Sequence, residues 1–415
     1  MNQSSSPQNA RSMLTVAEAR ELIFGQIVPV QGWEQVAVRD ALDRILAEDV
    51  VAPFNVPAHD NSAMDGYAVR AEDLSPDDET RLKVVGTAFA GKPFSGMAGP
   101  AQAIRIMTGA TIPRGADTIV PQEETRQDGD GVIIPADQRK GQHLRRAGED
   151  LALGGVAIAA GRRCGPAELG LIASLGIAEV AVRRRLRVAF FSTGDEIASI
   201  GRPLAPGQVY DSNRYTLFGA LRRLDCEVID MGVIKDEPTS LERAFRDAAA
   251  TADVILTSGG VSVGEADFIR ELVNRLGHVE FWKLAIKPGR PMAFGRIGNA
   301  WMFGLPGNPV AVLVTFYQFV RDALLHLGGL TPLPTPILVP AICTDAIRKR
   351  PGRREFLRGR LEFDGESRRV SLTGAQGSGI LKSMSDANCF VVLTEESGNI
   401  EPGQQVLVQP FDGLI

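Results

Sequence analysis

Residues 186–197 read LRVAFFSTGDEI, an apolar run centred on Val188–Phe191 that leads into a polar exit with a glycine and two acids. A run of this length, rich in branched and aromatic residues and closed by a polar exit, reads as a strand buried on both faces. The same unit recurs downstream. DSNRYTLFGALRRL (211–224) reads as a helix, CEVIDMGVI (226–234) as a strand, and TSLERAFRDAAATA (239–252) as a helix with a Thr239/Glu242 capping box. DVILTSGG (253–260) is again a strand, DFIRELVNRLG (267–277) a helix, and WMFGLPGNP (301–309) a strand leading into a long helix from Pro309. Strands alternating with helices imply a parallel sheet wrapped on both faces, an αβα doubly wound domain over 184–330.

Upstream, the first dozen residues read as disordered. Thr15 and Glu18 form a capping-box pattern ahead of a helix, and a second helix is expected after Asp40 with Ala41, Leu42, Ile45 and Leu46 inward. Residues 53–137 change to short β-like runs (RLKVVGTAF, AIRIM, DTIVPQEE, GVIIPA) between glycines and prolines. Gly165-Pro166 then opens another helix that closes at Gly176. Helical pieces on either side of a β segment suggest an insertion: a β domain over 53–137 inside a helical N-terminal domain of 13–52 and 138–183. After Leu330 the helical signal stops, and five β-like runs over 331–415 suggest a C-terminal β-barrel.

Composition sets outer bounds. The chain has 415 residues, 44% hydrophobic and 23% charged, with a net charge of −5. That length implies two to four domains, and the acidic balance argues against nucleic acid as a partner. The four cysteines form no CxxC pair, which reads as reduced thiols and not as a disulfide frame or zinc site. The N-terminus shows no secretory signal. The most apolar long stretch, residues 309–320, is short for a bilayer and is expected to turn amphipathic beyond that point. The expectation is a cytoplasmic protein without a membrane partner.

Ligands of such sheets bind at the carboxyl ends of the strands. The exits here are STGDE (192–196), IKDEP (234–238), TSGGVSVGEAD (257–267) and GLPGNP (304–309). Glycine loops lead into helices at Ser258, Gly259, Gly260, Ser262 and Gly264, and again at Pro306 and Asn308. Glycine permits close backbone approach and a helix start offers free N–H groups, a pairing that suits phosphate. Acids repeat at the same edge (Asp195, Glu196, Asp236, Glu265, Asp267), and carboxylates beside a phosphate suggest Mg2+. At any one loop, turn-forming glycines and helix-capping acids are the alternative; four loops on one edge weigh against it. Neither loop is a Walker or GxGxxG motif, which removes ordinary nucleotide readings. Lys283, Lys287 and Arg290 in WKLAIKPGRP (282–291) read as a second anion site.

Together with DNSAMDGYAVR (60–70), RIMTGA, KPGRPMAFG, FGLPGNPVAV, EFLRGR and a GSG/NCF tail, these stretches resemble the molybdopterin molybdenumtransferase family, from about Val16 to Phe411. The family includes bacterial MoeA proteins and the E domain of gephyrin, and the chain resembles the bacterial form, without a fused second enzyme domain. The resemblance implies a homodimer of elongated four-domain subunits, in which the αβα domain of one faces the β domain of the other. It implies adenylylated molybdopterin and molybdate as substrates, hydrolysis aided by Mg2+ with release of AMP, and formation of molybdenum cofactor. It admits the molybdopterin adenylyltransferase and apo-molybdoenzymes as further partners. By motif position it implies catalytic roles for Asp60, Thr108, Glu196, Asp236 and Asp267, with Glu196, Asp236 and Asp267 at the metal. Lys283 and Lys287 would bind phosphate or molybdate, and Arg358 and Ser378 would complete an oxyanion pocket in the barrel. Ala311 and Ala375 depart from the family pattern, which commonly has a small hydroxyl residue and a histidine there. A non-catalytic pterin-binding scaffold of the same fold is the rival reading, and the retained acids and lysines oppose it. A molybdopterin-adenylylating relative is opposed by the β insertion and barrel.

Overall fold

The computed structural model describes residues 13–260, 266–365 and 367–414, with the side chains of 266–268 outside that description. The expectation of disorder over the first dozen residues falls outside it as well.

The first helix, Val16–Phe24, carries the expected box: the Glu18 N–H donates to Thr15 Oγ1 at 3.2 Å and the Thr15 N–H to Glu18 Oε2 at 2.8 Å. Its buried face, with Val16, Ala19 and Ile23, joins the core of the αβα domain rather than the N-terminal domain to which its position in sequence assigned it. The expected second helix does not form. Only a 3-10 turn, Val38–Ala41, is present, Leu42 is 46% exposed, and Asp43 adopts φ 62°. A left-handed residue two positions past Ala41 ends any helix there.

The remaining N-terminal unit is built from both sides of the insertion. Trp33–Ala37 pairs antiparallel with Glu179–Arg183, and Val50–Val51 with Val156–Ile158. Pro166–Ser174 is helical with proline in its first turn, and Leu46, Cys164, Ile172 and Val182 share one core. The inserted segment forms a six-stranded sheet from Gly66–Val69 to Gly131–Ile134, with its own apolar clusters.

The αβα domain contains β1 (Arg187–Thr193), α1 (Ser212–Arg223), β2 (Glu227–Ile234), α2 (Pro238–Thr251), β3 (Val254–Ser258), α3 (Ala266–Leu276), β4 (Gly277–Lys283), β5 (Pro291–Ile297), β6 (Ala300–Leu305) and α4 (Pro309–Thr315). Sheet order is β2-β1-β3-β6-β5-β4. The first four strands are parallel, as the alternation required, while β5 and β4 form an antiparallel edge. Alternate residues of β1 serve opposite faces. Val188 and Phe190 pack with Leu217 and Leu221 of α1, whereas Ala189 and Phe191 pack with Leu241 and Phe245 of α2. The expected Thr239/Glu242 box is absent. Glu237 is the N-cap with Pro238 behind it, and Glu242 instead pairs with Arg246 and Arg275.

The helical run Pro309–Leu327 extends past Val320 and does not become amphipathic there. Its 19 residues, with mean hydropathy 1.4, pass for a membrane span by length and composition, but 89% of the run is buried inside the fold. It is the core helix against which β1, β3 and β6 pack.

In the C-terminal region, Arg354–Asp364, Ser367–Leu372, Val339–Cys343, Gln405–Pro410 and Cys389–Leu393 pair in that order, and the last pairs back to the first, closing a five-stranded barrel. Ile286–Lys287 joins its edge. A short helix, Leu381–Asp386, lies where no helical signal was expected.

Candidate active site

Neighbouring strands β1, β3 and β6 end at one edge, and their exits line a cleft of about 780 Å³. Glu196, Asp236, Ser258, Gly259, Gly260 and Asn308 all face it. Six of the residues expected from sequence thus meet in one place. The glycines are required by contact. Gly259 has φ 96°, and a Cβ there would stand 2.6 Å from the Thr193 carbonyl oxygen; at Gly260, φ 70°, one would stand 2.7 Å from Ile269 Cδ1. The β3 loop is therefore pressed against the β1 exit, leaving its backbone accessible from the cleft.

Two cleft residues escaped the sequence reading. Asp211 caps α1, accepting from the Arg214 N–H at 3.1 Å and from Ser192 Oγ at 3.0 Å. Asn213 Nδ2 donates to Ser258 Oγ at 2.7 Å and to the Gly307 carbonyl at 2.6 Å, tying the β3 and β6 loops together. Asp211 is 2% exposed and Asn213 8%. Among the described residues Asp211 Oδ2, Asn213 Oδ1 and Thr193 Oγ1 are buried without a hydrogen-bond partner. Such atoms call for a partner, and all three belong to residues lining the cleft. In sequence, DSNRY shows only an ordinary helix start, so no signal separated them from a cap.

Glu196 is exposed, its backbone carbonyl held by the Val209 N–H at 2.9 Å, and it forms no ion pair among the described residues. Asp195 and Asp236 add carboxylates at the same rim. Among the described residues no group of three or more metal-type side chains is assembled. The expected third acid, Asp267, begins α3, but its side chain lies outside the description, as do Ser262 and Gly264.

The other expected residues stand elsewhere. Pro306 is buried behind the β6 exit. Lys283 ends β4, exposed and without a partner among the described residues; Lys287 pairs with barrel Glu355 at 3.1 Å. Ser378 meets the cleft edge through its backbone, its carbonyl accepting from the Val310 N–H at 3.0 Å. Arg358 lies inside the barrel. It is 0% exposed, and its guanidinium donates to Ser383 Oγ at 3.0 Å and the Gly377 carbonyl at 3.0 Å, bracing the 375–377 loop from inside. Burial lowers its pKa to about 10. A guanidinium enclosed this way positions the loop, and its Nη1 is buried with no hydrogen-bond partner among the described residues.

Asp60 and Thr108 belong to the β domain and do not line the cleft of their own chain. Asp60 accepts from the Ala147 N–H at 2.8 Å and from Arg146 at 2.7 Å, which hold its carboxyl below the ordinary range. Thr108 donates both its N–H and Oγ to Asp65 Oδ1 at 2.7 Å, lowering the Asp65 pKa.

Family models match nearly the whole chain: "MoeA N-terminal region (domain I and II)" over 14–176, "Probable molybdopterin binding domain" over 189–326, and "MoeA C-terminal region (domain IV)" over 340–411. A molybdopterin molybdenumtransferase of Haemophilus influenzae is 45% identical over 97% of this chain and 100% of its own length. The chain belongs to the MoeA family of molybdopterin molybdenumtransferases. A second MoeA-family relative, from Nostoc sp., is 35% identical over 95% of this chain and 93% of its own. A solved molybdopterin biosynthesis MoeA protein of Pyrococcus horikoshii superposes with a TM-score of 0.78 at 33% identity, covering 96% of this chain and 99% of its own. Membership in the MoeA family makes this chain an enzyme of molybdenum cofactor biosynthesis.

Proposed function

We propose that the cleft at the β1, β3 and β6 exits binds adenylylated molybdopterin, and that the chain hydrolyses its phosphoanhydride while molybdate is loaded onto the dithiolene. One observation carries this reading: Glu196, Asp236, the Ser258–Gly260 loop and Asn308 converge on a single cleft in a chain of this family. The glycine loop would hold phosphate oxygens through backbone N–H groups, with the Gly307-Asn308 turn beside it. Asn213 fixes the spacing between those two loops, and the buried acceptors of Asp211 and Asn213 suit the N–H donors of a pterin.

In the hydrolysis, water adds its oxygen to one phosphorus and the bridging oxygen leaves with the other, freeing AMP. Glu196 and Asp236 would orient that water and take its proton. The carboxylate oxygens at this rim are a donor set that fits Mg2+; Glu196 and Asp236 would hold it with Asp267. Mg2+ supplies charge stabilisation at the phosphates when bound. Lys283 and Lys287 would hold the incoming oxyanion, with Arg358 keeping the 375–378 loop in shape.

The reading includes a homodimer, because Asp60 and Thr108 lie outside the cleft of their own chain and would reach the one in a partner. A cytoplasmic location goes with these substrates. Incubating the protein with adenylylated molybdopterin, molybdate and Mg2+ tests the whole reading. AMP release coupled to cofactor formation is expected, and binding without AMP release would overturn it.

A further inference from the structure

A second cavity, of about 40 Å³, lies where the N-terminal unit, the 183–186 linker and the αβα domain meet. Five arginines line it (Arg44, Arg163, Arg183, Arg184 and Arg185) against two acids, Asp43 and Asp225. The acids within reach are already shared. Asp225 serves both Arg185 at 2.8 Å and the 5%-exposed Arg44 at 3.5 Å, and Arg44 also bonds Glu34. Asp253, outside the cavity, holds Arg184 through two bonds of 2.7 and 2.8 Å. Two guanidiniums are left over. Arg163 and Arg183 form no side-chain hydrogen bond or ion pair among the described residues, Asp43 pairs with neither, and Arg183 Nε is buried with no partner. Leu186, Leu224, Leu324 and Leu325 supply apolar wall, which strengthens any charge interaction made inside.

We propose that this junction is a binding site for a tetrahedral inorganic oxyanion. A cavity of this size has room for about three water-sized groups at roughly 10–15 Å³ each, which matches a small oxyanion held on several sides. Guanidiniums present planar forks of donors suited to such an anion, and the uncompensated pair, Arg163 and Arg183, supplies the charge. Because its walls come from three parts of the chain, a bound anion ties the N-terminal unit to the αβα domain. It thereby fixes how the β domain is carried relative to the cleft. Phosphate and molybdate share this chemistry.

The test uses the full-length chain. Thermal unfolding is followed in chloride and, at matched ionic strength, in rising phosphate, sulfate or molybdate. A saturable rise in Tm is expected with the oxyanions and not with chloride. The apparent affinity should fall roughly tenfold or more in Arg163→Gln and in Arg183→Gln, since each removes a charge-assisted contact. Arg163 is exposed, so its variant retains the fold even if Arg183→Gln does not. Crystals soaked in molybdate should show anomalous density between Arg163 and Arg183. Saturation at lower phosphate than molybdate marks a resident phosphate site, and the reverse order marks a molybdate site; both support the proposal. Equal Tm gains in parent and Arg163→Gln, or anomalous density confined to the cleft and barrel, overturns it.

Discussion

Asn213 holds both glycine loops from one amide, so its loss is felt at two strand exits together. Asn213→Ala leaves Ser258 Oγ and the Gly307 carbonyl without their donor, a cost of about 1–3 kcal/mol in stability. Affinity for the adenylylated pterin should fall with it, measured by equilibrium binding, and parent-like affinity would show that the tie has no part in the site. Gly259→Ala acts on the same loop by another route. Its Cβ would press on the Thr193 carbonyl in a left-handed backbone, at a cost of about 1–3 kcal/mol. The expected outcome is weaker phosphate binding with secondary structure unchanged by circular dichroism. At the acids, Asp236→Asn should fold and bind pterin while AMP release slows on the order of a hundredfold or more. Parent-rate AMP release at limiting Mg2+ would remove Asp236 from the hydrolytic step. The cleft was legible in sequence to the extent that strand exits announce themselves by glycine and acid, as at Gly259 and Glu196. Asp211 and Asn213 were not, because a buried helix start and an exposed one have the same residue types. For Arg358 composition gives the donors but not that the barrel encloses it.

At the scale of elements, periodicity located β1, β2, β3, β6 and the barrel strands because each is a run with one dominant burial pattern, while the antiparallel edge strands β4 and β5 on either side of the 284–290 turn were not read as strands. It failed where a tertiary partner or one backbone angle decides. Ala41 to Leu46 have helical spacing, yet Asp43 at φ 62° breaks the turn. The first helix is correctly placed in sequence but packs on the αβα core, a partner that lies far along the chain. Ile23, fully buried there, makes this checkable: Ile23→Ala should cost about 2–5 kcal/mol and lower the unfolding midpoint of the αβα unit. A loss confined to the N-terminal unit would contradict the packing. The linker offers a pH test. Burial alone would raise the Asp253 pKa, but hydrogen bonds from Arg184 and the Arg187 N–H, with the charges of both arginines, bring it below the ordinary value. A depressed carboxyl adds stability above its unfolded pKa and loses it as pH falls through the folded one. Asp253→Asn should therefore destabilise by about 1–3 kcal/mol at pH 7. The gap to the parent should close below about pH 4. A gap that stays constant across that range would mean the contribution is packing and not charge.

For the whole molecule, the decisive question is whether one chain builds a complete site. Within a subunit, Glu196 and Asp236 face the cleft while Asp60 and Thr108 are fixed in the β domain by Arg146, Ala147 and Asp65. If the β domain of a partner supplies them, a dimer has two sites, each assembled from two chains. Subunits carrying Asp60→Asn and subunits carrying Asp236→Asn are then each inactive alone. Co-expressed, half of the dimers are mixed, and each mixed dimer has one site with both defects and one with neither. Activity should return to about a quarter of the parent value, with substrate affinity at the restored sites unchanged. If each chain instead completes its own site, every site in the mixture keeps one defect, and mixing restores nothing although dimers form. Light scattering on the same samples separates that outcome from a failure to associate. Recovery near a quarter requires both contacts to cross the interface; none, in a sample that is fully dimeric, places Asp60 with the cleft of its own chain or outside catalysis.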